Sequence, residues 1–334
     1  VEAEDARRYI RDARGYSSET EQQFHLGYHP EDWEWIQKKA KSHFSVSALE
    51  QSQLISKREE GKSGYFDYFV DRVLFPIHDE RKRTVAFGGR LIPGHQERGG
   101  KYFNSKESSV FQKNRILFGL PHALPAIRDQ KSNEKTVLVV EGYADCVACH
   151  QFGVRNVVAG MGTALTEFQC SRLKAFAQRI VLVYDGDQPG QDAASRAVGS
   201  LIGQSVDLRV LTMPEGQDPD DFLKANGTEA FQEQIDRAPE AWEFRLNYEV
   251  KKHGTDSVNG REQVLNQMIA LLAGVPDLSG TPREAVILGR LASRLQLTES
   301  VIRQQISRQK KTSDRTPPFL TQSQSAPADE PVEV

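Results

Sequence analysis

The chain predicts an α/β fold, with a parallel sheet flanked by helices, a basic α+β subdomain before it and a helical subdomain after it. Three observations lead there. Short apolar runs at Val137–Val140, Val154–Ala159, Ile180–Tyr184 and Leu208–Met213 alternate with longer segments such as Asp145–Phe152 and Thr166–Arg179. Runs of that length read as strands buried on both faces, and strands alternating with helices make βαβ units. Carboxylates follow these runs, at Glu141, at Asp185 and Asp187, and at Asp218 and Asp220. In an open parallel sheet, ligands collect beyond the carboxyl ends of the strands. Charge is also divided along the chain. Ser56–Leu117 holds 13 Lys/Arg against 8 Asp/Glu, a balance of +5, and Glu141–Asp221 holds 6 against 11, a balance of −5. A basic unit beside an acidic one suits a polyanionic substrate.

The whole chain has 334 residues and a formal charge of −3, enough for two or three compact units. No run of 18 apolar residues occurs, so no membrane span is expected. The start, Val1–Asp5, is acidic, with no secretory h-region and no initiator Met, so the expectation is a cytoplasmic protein given as a fragment. Three cysteines cannot all pair. Cys146, Cys149 and His150 match the Cys-x-x-Cys-His pattern of haem attachment, but on an expected helix with Val147 and Ala148 the cysteines read as small core residues. No second Cys or His pair follows at zinc spacing.

Residues 1–52 read as helical, with helices at Ala6–Ala13 and Asp32–Ala40. Next, Arg72–Asp79 and Thr84–Ile92, joined through a polar turn, read as a β-hairpin in which Gly88 and Gly89 permit close approach. Residues 121–134 read as a polar connector. The sheet region covers 135–221, helices cover 222–312, and 313–334 reads as a disordered tail or linker rich in Pro, Ser and Gln. Gly160–Thr163 after a strand can offer backbone N–H groups and a hydroxyl to phosphate. No Walker loop occurs anywhere.

Several carboxylates at one edge repel one another and stay ionised together only beside cations. Oxygen ligands without Cys or His favour Mg²⁺ or Mn²⁺, which suits phosphoryl transfer. Asp185–Gly186–Asp187 alone would also serve as a turn, and the acidic strand ends in one array carry the metal reading.

Glu141 in a strand–Glu–Gly turn, followed by strand–Asp185–Gly186–Asp187, resembles a Toprim domain, shared by bacterial primases, topoisomerases and some nucleases. Val139–Asp145, Gly162–Thr166, Tyr184–Gly190 and Gly216–Asp220 resemble the version in DnaG-type primases. The Arg72–Val–Leu–Phe–Pro–Ile77 strand, Phe87–Gly–Gly–Arg90, Lys101–Tyr–Phe–Asn–Ser105 and Lys113 resemble the basic subdomain of those primases, which topoisomerases lack. The resemblance implies a basic subdomain over 1–120, a Toprim-type catalytic domain over 135–221 and a helical subdomain over 222–312. It implies that Glu141, Asp185 and Asp187 are catalytic and hold two or more Mg²⁺ or Mn²⁺ ions, with Asp145, Asp218 and Asp220 supporting or ligating them. It implies that Arg72, Arg90, Lys101, Asn104 and Lys113 line a groove for template and nucleotide. The implied activity is synthesis of short RNA primers on single-stranded DNA from ribonucleoside triphosphates, with pyrophosphate released. Zinc and the replicative helicase belong to N-terminal and C-terminal domains of the family without a counterpart in these residues. A Toprim topoisomerase or nuclease, and an inactive DNA-binding scaffold, remain as alternatives.

Overall fold

The structure, a computed structural model, describes residues 3–58, 63–95, 100–162 and 164–313, without side chains for 310–313. The disordered tail expected at 314–334 and the Thr163 hydroxyl lie outside the described residues. Among the described residues ten strands occur in order: β1 Gly27–His29, β2 Ile55–Lys57, β3 Tyr65–Asp67, β4 Arg72–His78, β5 Thr84–Leu91, β6 Tyr102–Asn104, β7 Thr136–Val140, β8 Val157–Ala159, β9 Arg179–Tyr184 and β10 Asp207–Thr212. They form an antiparallel sheet β1-β4-β5-β6, a two-stranded sheet β2-β3, and a sheet β10-β9-β7-β8 whose pairs are all parallel.

The parallel sheet is the expected one. Val137, Leu138, Val157, Val158, Ile180 and Val181 are fully buried, because helices cover both faces and leave no polar face to alternate. The crossovers are the helices Tyr143–Gln151, Glu167–Lys174 and Gln188–Leu201. Two of them start at side-chain caps, Thr166 and Asp187, which each accept a backbone N–H that the helix leaves unpaired. Cys146 and Cys149 are fully buried on the first of these helices, as small core residues.

Two expectations change. Residues 1–52 are not wholly helical, because β1 adds to the hairpin as its third strand, pairing Tyr28 with Val73. The first helix is also short, Glu4–Arg8, and runs into a π-helical turn, Tyr9–Ala13. Residues 121–134 are not merely a polar connector. Leu120–Asp129 is a helix whose Leu120, Ala123, Leu124 and Ile127 are buried. Its prolines are tolerated in part because Pro121 sits in the first turn, where a missing N–H costs nothing.

The described chain divides into two compact units, with the division after Tyr248. The second unit is helical, through Val258–Ala273, Pro282–Leu295 and Glu299–Ser313, with Leu272, Leu288, Leu291 and Leu295 in its interior. The basic sheet and the parallel sheet belong to the first unit and share one apolar cluster, in which Phe75, Phe118, Val140, Tyr143 and Val147 take part. Polar contacts reinforce the join. Phe118 and Ala159 exchange both backbone hydrogen bonds at 3.0 Å, the Tyr16 hydroxyl donates to the Ala144 carbonyl at 3.0 Å, and Arg172 pairs with Glu80.

Candidate active site

The carboxyl ends of β7 and β9 lie side by side, so the residues that follow them, Glu141 and Asp185, emerge together. The Asp185 N–H donates to Glu141 Oε1 at 3.1 Å. Gly186 then packs directly on the Pro214 carbonyl, where a Cβ would come within 1.9 Å, so only glycine fits between the two acids of this motif. Asp187 caps the helix Gln188–Leu201, with Oδ1 accepting from Gly190 N at 2.7 Å. Asp218 caps the helix Pro219–Asp236 in the same way, accepting from Asp221 N at 2.7 Å. Asp145 lies in the first turn of Tyr143–Gln151 and accepts from Gly142 N at 3.2 Å.

These acids feel one another. Burial, then Glu141, Asp218, Asp187 and Asp221, push the Asp185 carboxyl up to about 7. Burial, then Asp218 and Asp185, push Asp145 up to about 8, against Arg14 and the Gly142 N–H. Glu141 is raised by burial and by Asp187, with the Asp185 N–H opposing. A crowded set of hard oxygen donors whose charges resist one another fits a divalent cation. The set is gathered but not closed. Among the described residues no three His, Cys, Asp or Glu side chains stand close enough to hold a metal ion. Asp220 is 2% exposed and paired with Lys224 at 2.9 Å and Arg14 at 3.5 Å, so it is drawn into an inner ion-pair network.

The basic residues separate into two groups. Arg72 and Arg90 were expected to line an open groove, and the structure places both inside. Arg72 is 1% exposed, donates to the Gly100 carbonyl at 3.0 Å and lies 3.9 Å from the Phe103 ring centre. Burial brings its guanidinium down to about 10. Arg90 is 7% exposed, donates to the Leu91 carbonyl at 2.9 Å and lies over the Tyr102 ring at 4.8 Å. Flat guanidinium groups stack on aromatic faces, so both arginines brace the sheet. Lys101 stays exposed at the head of β6. Asn104, at its other end, donates from Nδ2 to the Met161 carbonyl at 3.2 Å, in the loop after β8. Lys113 is partly buried, and its carbonyl accepts from Gln169 Nε2 at 3.0 Å.

Thus β6 is tied directly to the loops at the acidic edge. Gly88 of β5 completes the join. A Cβ there would come within 2.5 Å of the Tyr143 ring, two residues after Glu141. A crevice of about 300 Å³ opens at the same sheet end, lined by Glu141, Gly160, Leu165, Tyr184 and Arg196 among others. Arg14 was not among the expected site residues, although it stands 3.5 Å from Asp220 and donates from Nε to the Tyr9 hydroxyl at 3.0 Å. The Arg14–Gly15 pair that ends the first helical stretch was the available signal.

Comparison with known proteins agrees with this geometry. Residues 1–124 match the N-terminal domain of the DNA primase catalytic core, and residues 138–223 match a Toprim-like domain. The DNA primase of Clostridium acetobutylicum is 36% identical over 245 residues, 72% of this chain and 39% of that protein. The Geobacillus stearothermophilus DNA primase is 34% identical over 308 residues, 92% of this chain and 49% of that protein. The chain thus spans less than half the length of these two curated relatives. A DNA primase domain from Pseudomonas aeruginosa superposes with a TM-score of 0.79 at 31% identity, covering 90% of this chain and 92% of that one. A DnaG primase catalytic domain bound to single-stranded DNA superposes at 0.74 and 29% identity, covering 87% and 91%. The chain belongs to the DnaG-type DNA primases, as a catalytic core of that family.

Proposed function

We propose that this core synthesises short RNA primers on single-stranded DNA, joining ribonucleoside triphosphates and releasing pyrophosphate. The observation that supports it most is the direct bond between the two halves, Asn104 to Met161, which sets the Lys101-bearing strand against the loops of the acidic edge. One side supplies a cation for phosphates and an amide for sugar or phosphate, and the other supplies acids for metal. Single-stranded DNA is the expected template, as in the related DnaG domain solved with it.

Glu141 and Asp185 are the residues to hold a divalent cation, Mg²⁺ or Mn²⁺, with Asp187 beside them. Bound there, such an ion supplies charge neutralisation for a triphosphate and lowers the pKa of a primer 3′-hydroxyl. The chain itself positions these acids. The Asp185 N–H holds Glu141 in place, and the Asp187 cap fixes the second acid of the motif on a helix N-terminus. Asp145 and Asp218 add negative field from the neighbouring turns. Lys101 and Lys113 meet phosphates of template or nucleotide, while Arg72 and Arg90 keep β4, β5 and β6 in register behind them. A replicative helicase would engage through parts of the family's proteins outside these residues.

Incubating the chain with single-stranded DNA, labelled ribonucleotides and Mg²⁺ or Mn²⁺ tests the proposal. Short RNA products are expected. Strand cleavage would favour a nuclease, and no reaction in either metal would favour a DNA-binding scaffold.

A further inference from the structure

Away from the acidic edge, four imidazoles stand in a row. His25 and His78 have ring centres 5.9 Å apart, His78 and His122 6.1 Å, and His122 and His150 6.4 Å. Each comes from a different element. His25 precedes β1, His78 ends β4, His122 lies on the helix Leu120–Asp129, and His150 on the helix Tyr143–Gln151. The row therefore runs from the exposed His25 to His150, 3% exposed, through the join between the basic sheet and the parallel sheet. Phe24 closes over its inner end, 4.7 Å from His122 and 5.2 Å from His150.

The surroundings suit neutral rings. His150 Nε2 donates to the Val157 carbonyl at 2.9 Å, which leaves Nδ1 as the acceptor facing the Gln23 amide nitrogen at 3.5 Å. A second proton on His150 would point at a donor. The charged groups acting on the three rings beyond His25 include Lys82 toward His122, Arg155 toward His150 and Asp79 toward His78. Of these groups Asp79 is the one that could stabilise a cation, and it already accepts from the Arg81 and Arg83 N–H groups and the Arg83 side chain. Adjacent rings also repel once one is charged.

We propose that this row is an acid-sensitive latch: protonation of its inner rings releases the helix Leu120–Asp129 from the helix Tyr143–Gln151 and so loosens the basic sheet from the acidic edge. Burial holds His122 and His150 down at about 4, from an ordinary 6.5, which gives the sign. The open state binds the protons that the closed state refuses, so the latch holds above about pH 6.5 and weakens as pH falls toward 4. The acidic edge responds in the opposite sense, since its raised carboxyls are relieved by acid, so the two effects separate by direction. In a cell the outcome would be a core that stops working on acidification before its sheets unfold.

Backbone hydrogen exchange at pH 7.5 and 5.5, corrected for the intrinsic rate, reads the opening. In residues 120–129 and 143–151 the opening equilibrium should rise about a hundredfold, about tenfold for each of the two inner rings. In His122→Asn, and separately in His150→Gln, which keeps a donor for the Val157 carbonyl, the rise should shrink to about tenfold. A rise below about threefold in the unmodified chain would overturn the proposal. So would a full hundredfold rise in both variants, or an equal rise across β9, which would mean global acid unfolding.

Discussion

The Asp185 backbone N–H donates to Glu141 Oε1, so the two acids that end adjacent parallel strands are held together by a bond that needs no metal. The bond survives any change confined to the Asp185 side chain. Asp185→Asn should therefore keep the local backbone while removing a charge that its neighbours resist. Without metal the variant should melt at a higher temperature than the parent at pH 8, and primer synthesis should fall by at least about a hundredfold. Calorimetry and primer yield check the two arms. An Asp185→Asn chain with undiminished yield would remove Asp185 from the metal site.

Proton release should accompany metal binding. Asp185 and Asp145 are held near 7 and 8, so below those values part of the site carries protons that a divalent cation must displace. Affinity for Mn²⁺ should rise about tenfold between pH 6 and 8 through Asp185 alone, and further through Asp145. In the metal-free chain the same groups cost stability as pH climbs from about 4 toward 8. Titration calorimetry in buffers of different ionisation enthalpy measures the released protons. Affinity independent of pH across that range would contradict the assignment.

Lys101→Ala separates template from nucleotide. If the ammonium meets template phosphate, the slope of log K against log salt should flatten by about one unit. If it meets the triphosphate, the nucleotide KM should rise while that slope stays put. Neither change would leave Lys101 as solvated surface. Arg72→Ala should behave differently, losing stability through an emptied space beside Phe103 and Gly89, with little effect on the salt slope.

Gly88→Ala should strain the join between the sheets, because the new methyl would meet the Tyr143 ring. The expected cost is about 1–3 kcal/mol. Adding Tyr143→Ala should recover part of it, a non-additivity that a double-mutant cycle measures.

The buried connector gives a further test. Ile127→Ala, at a fully buried position, should cost about 2–5 kcal/mol in thermal or denaturant unfolding. A cost near zero would mean the helix Leu120–Asp129 does not hold the join.

Much of this was legible in the sequence, for physical reasons. The central strands β7 and β9 carry the apolar runs Val137–Val140 and Ile180–Tyr184 because both of their faces are covered, and Glu141 and Asp185 could be placed because a residue after a parallel strand has one edge to occupy. β1 was not legible, since three residues such as Gly27–Tyr28–His29 carry no period. The helix Leu120–Asp129 was hidden by Pro121 and Pro125, which signal a break more often than a helix. That Arg72 and Arg90 turn inward was not legible, because residue type tells charge but not direction. Their partners Phe103 and Tyr102 lie on β6, a strand whose pairing the sequence does not announce.

The bridge between Phe118 and Ala159, and the Tyr16 hydroxyl on Ala144, bind residues separated by tens to more than a hundred positions. Synthesis on a ribosome runs from the N-terminus, so the basic sheet emerges well before the strands that cover it. Phe24, Phe75 and Phe118 then lack their apolar partners from β7, the helix Tyr143–Gln151 and β8 until those later segments have been made. Contacts of such long reach slow folding and leave apolar surface open to association meanwhile. A nascent chain stalled near residue 130 should accordingly be captured by chaperones and cut readily by protease, whereas one stalled with residues 1–248 clear of the tunnel should resist both.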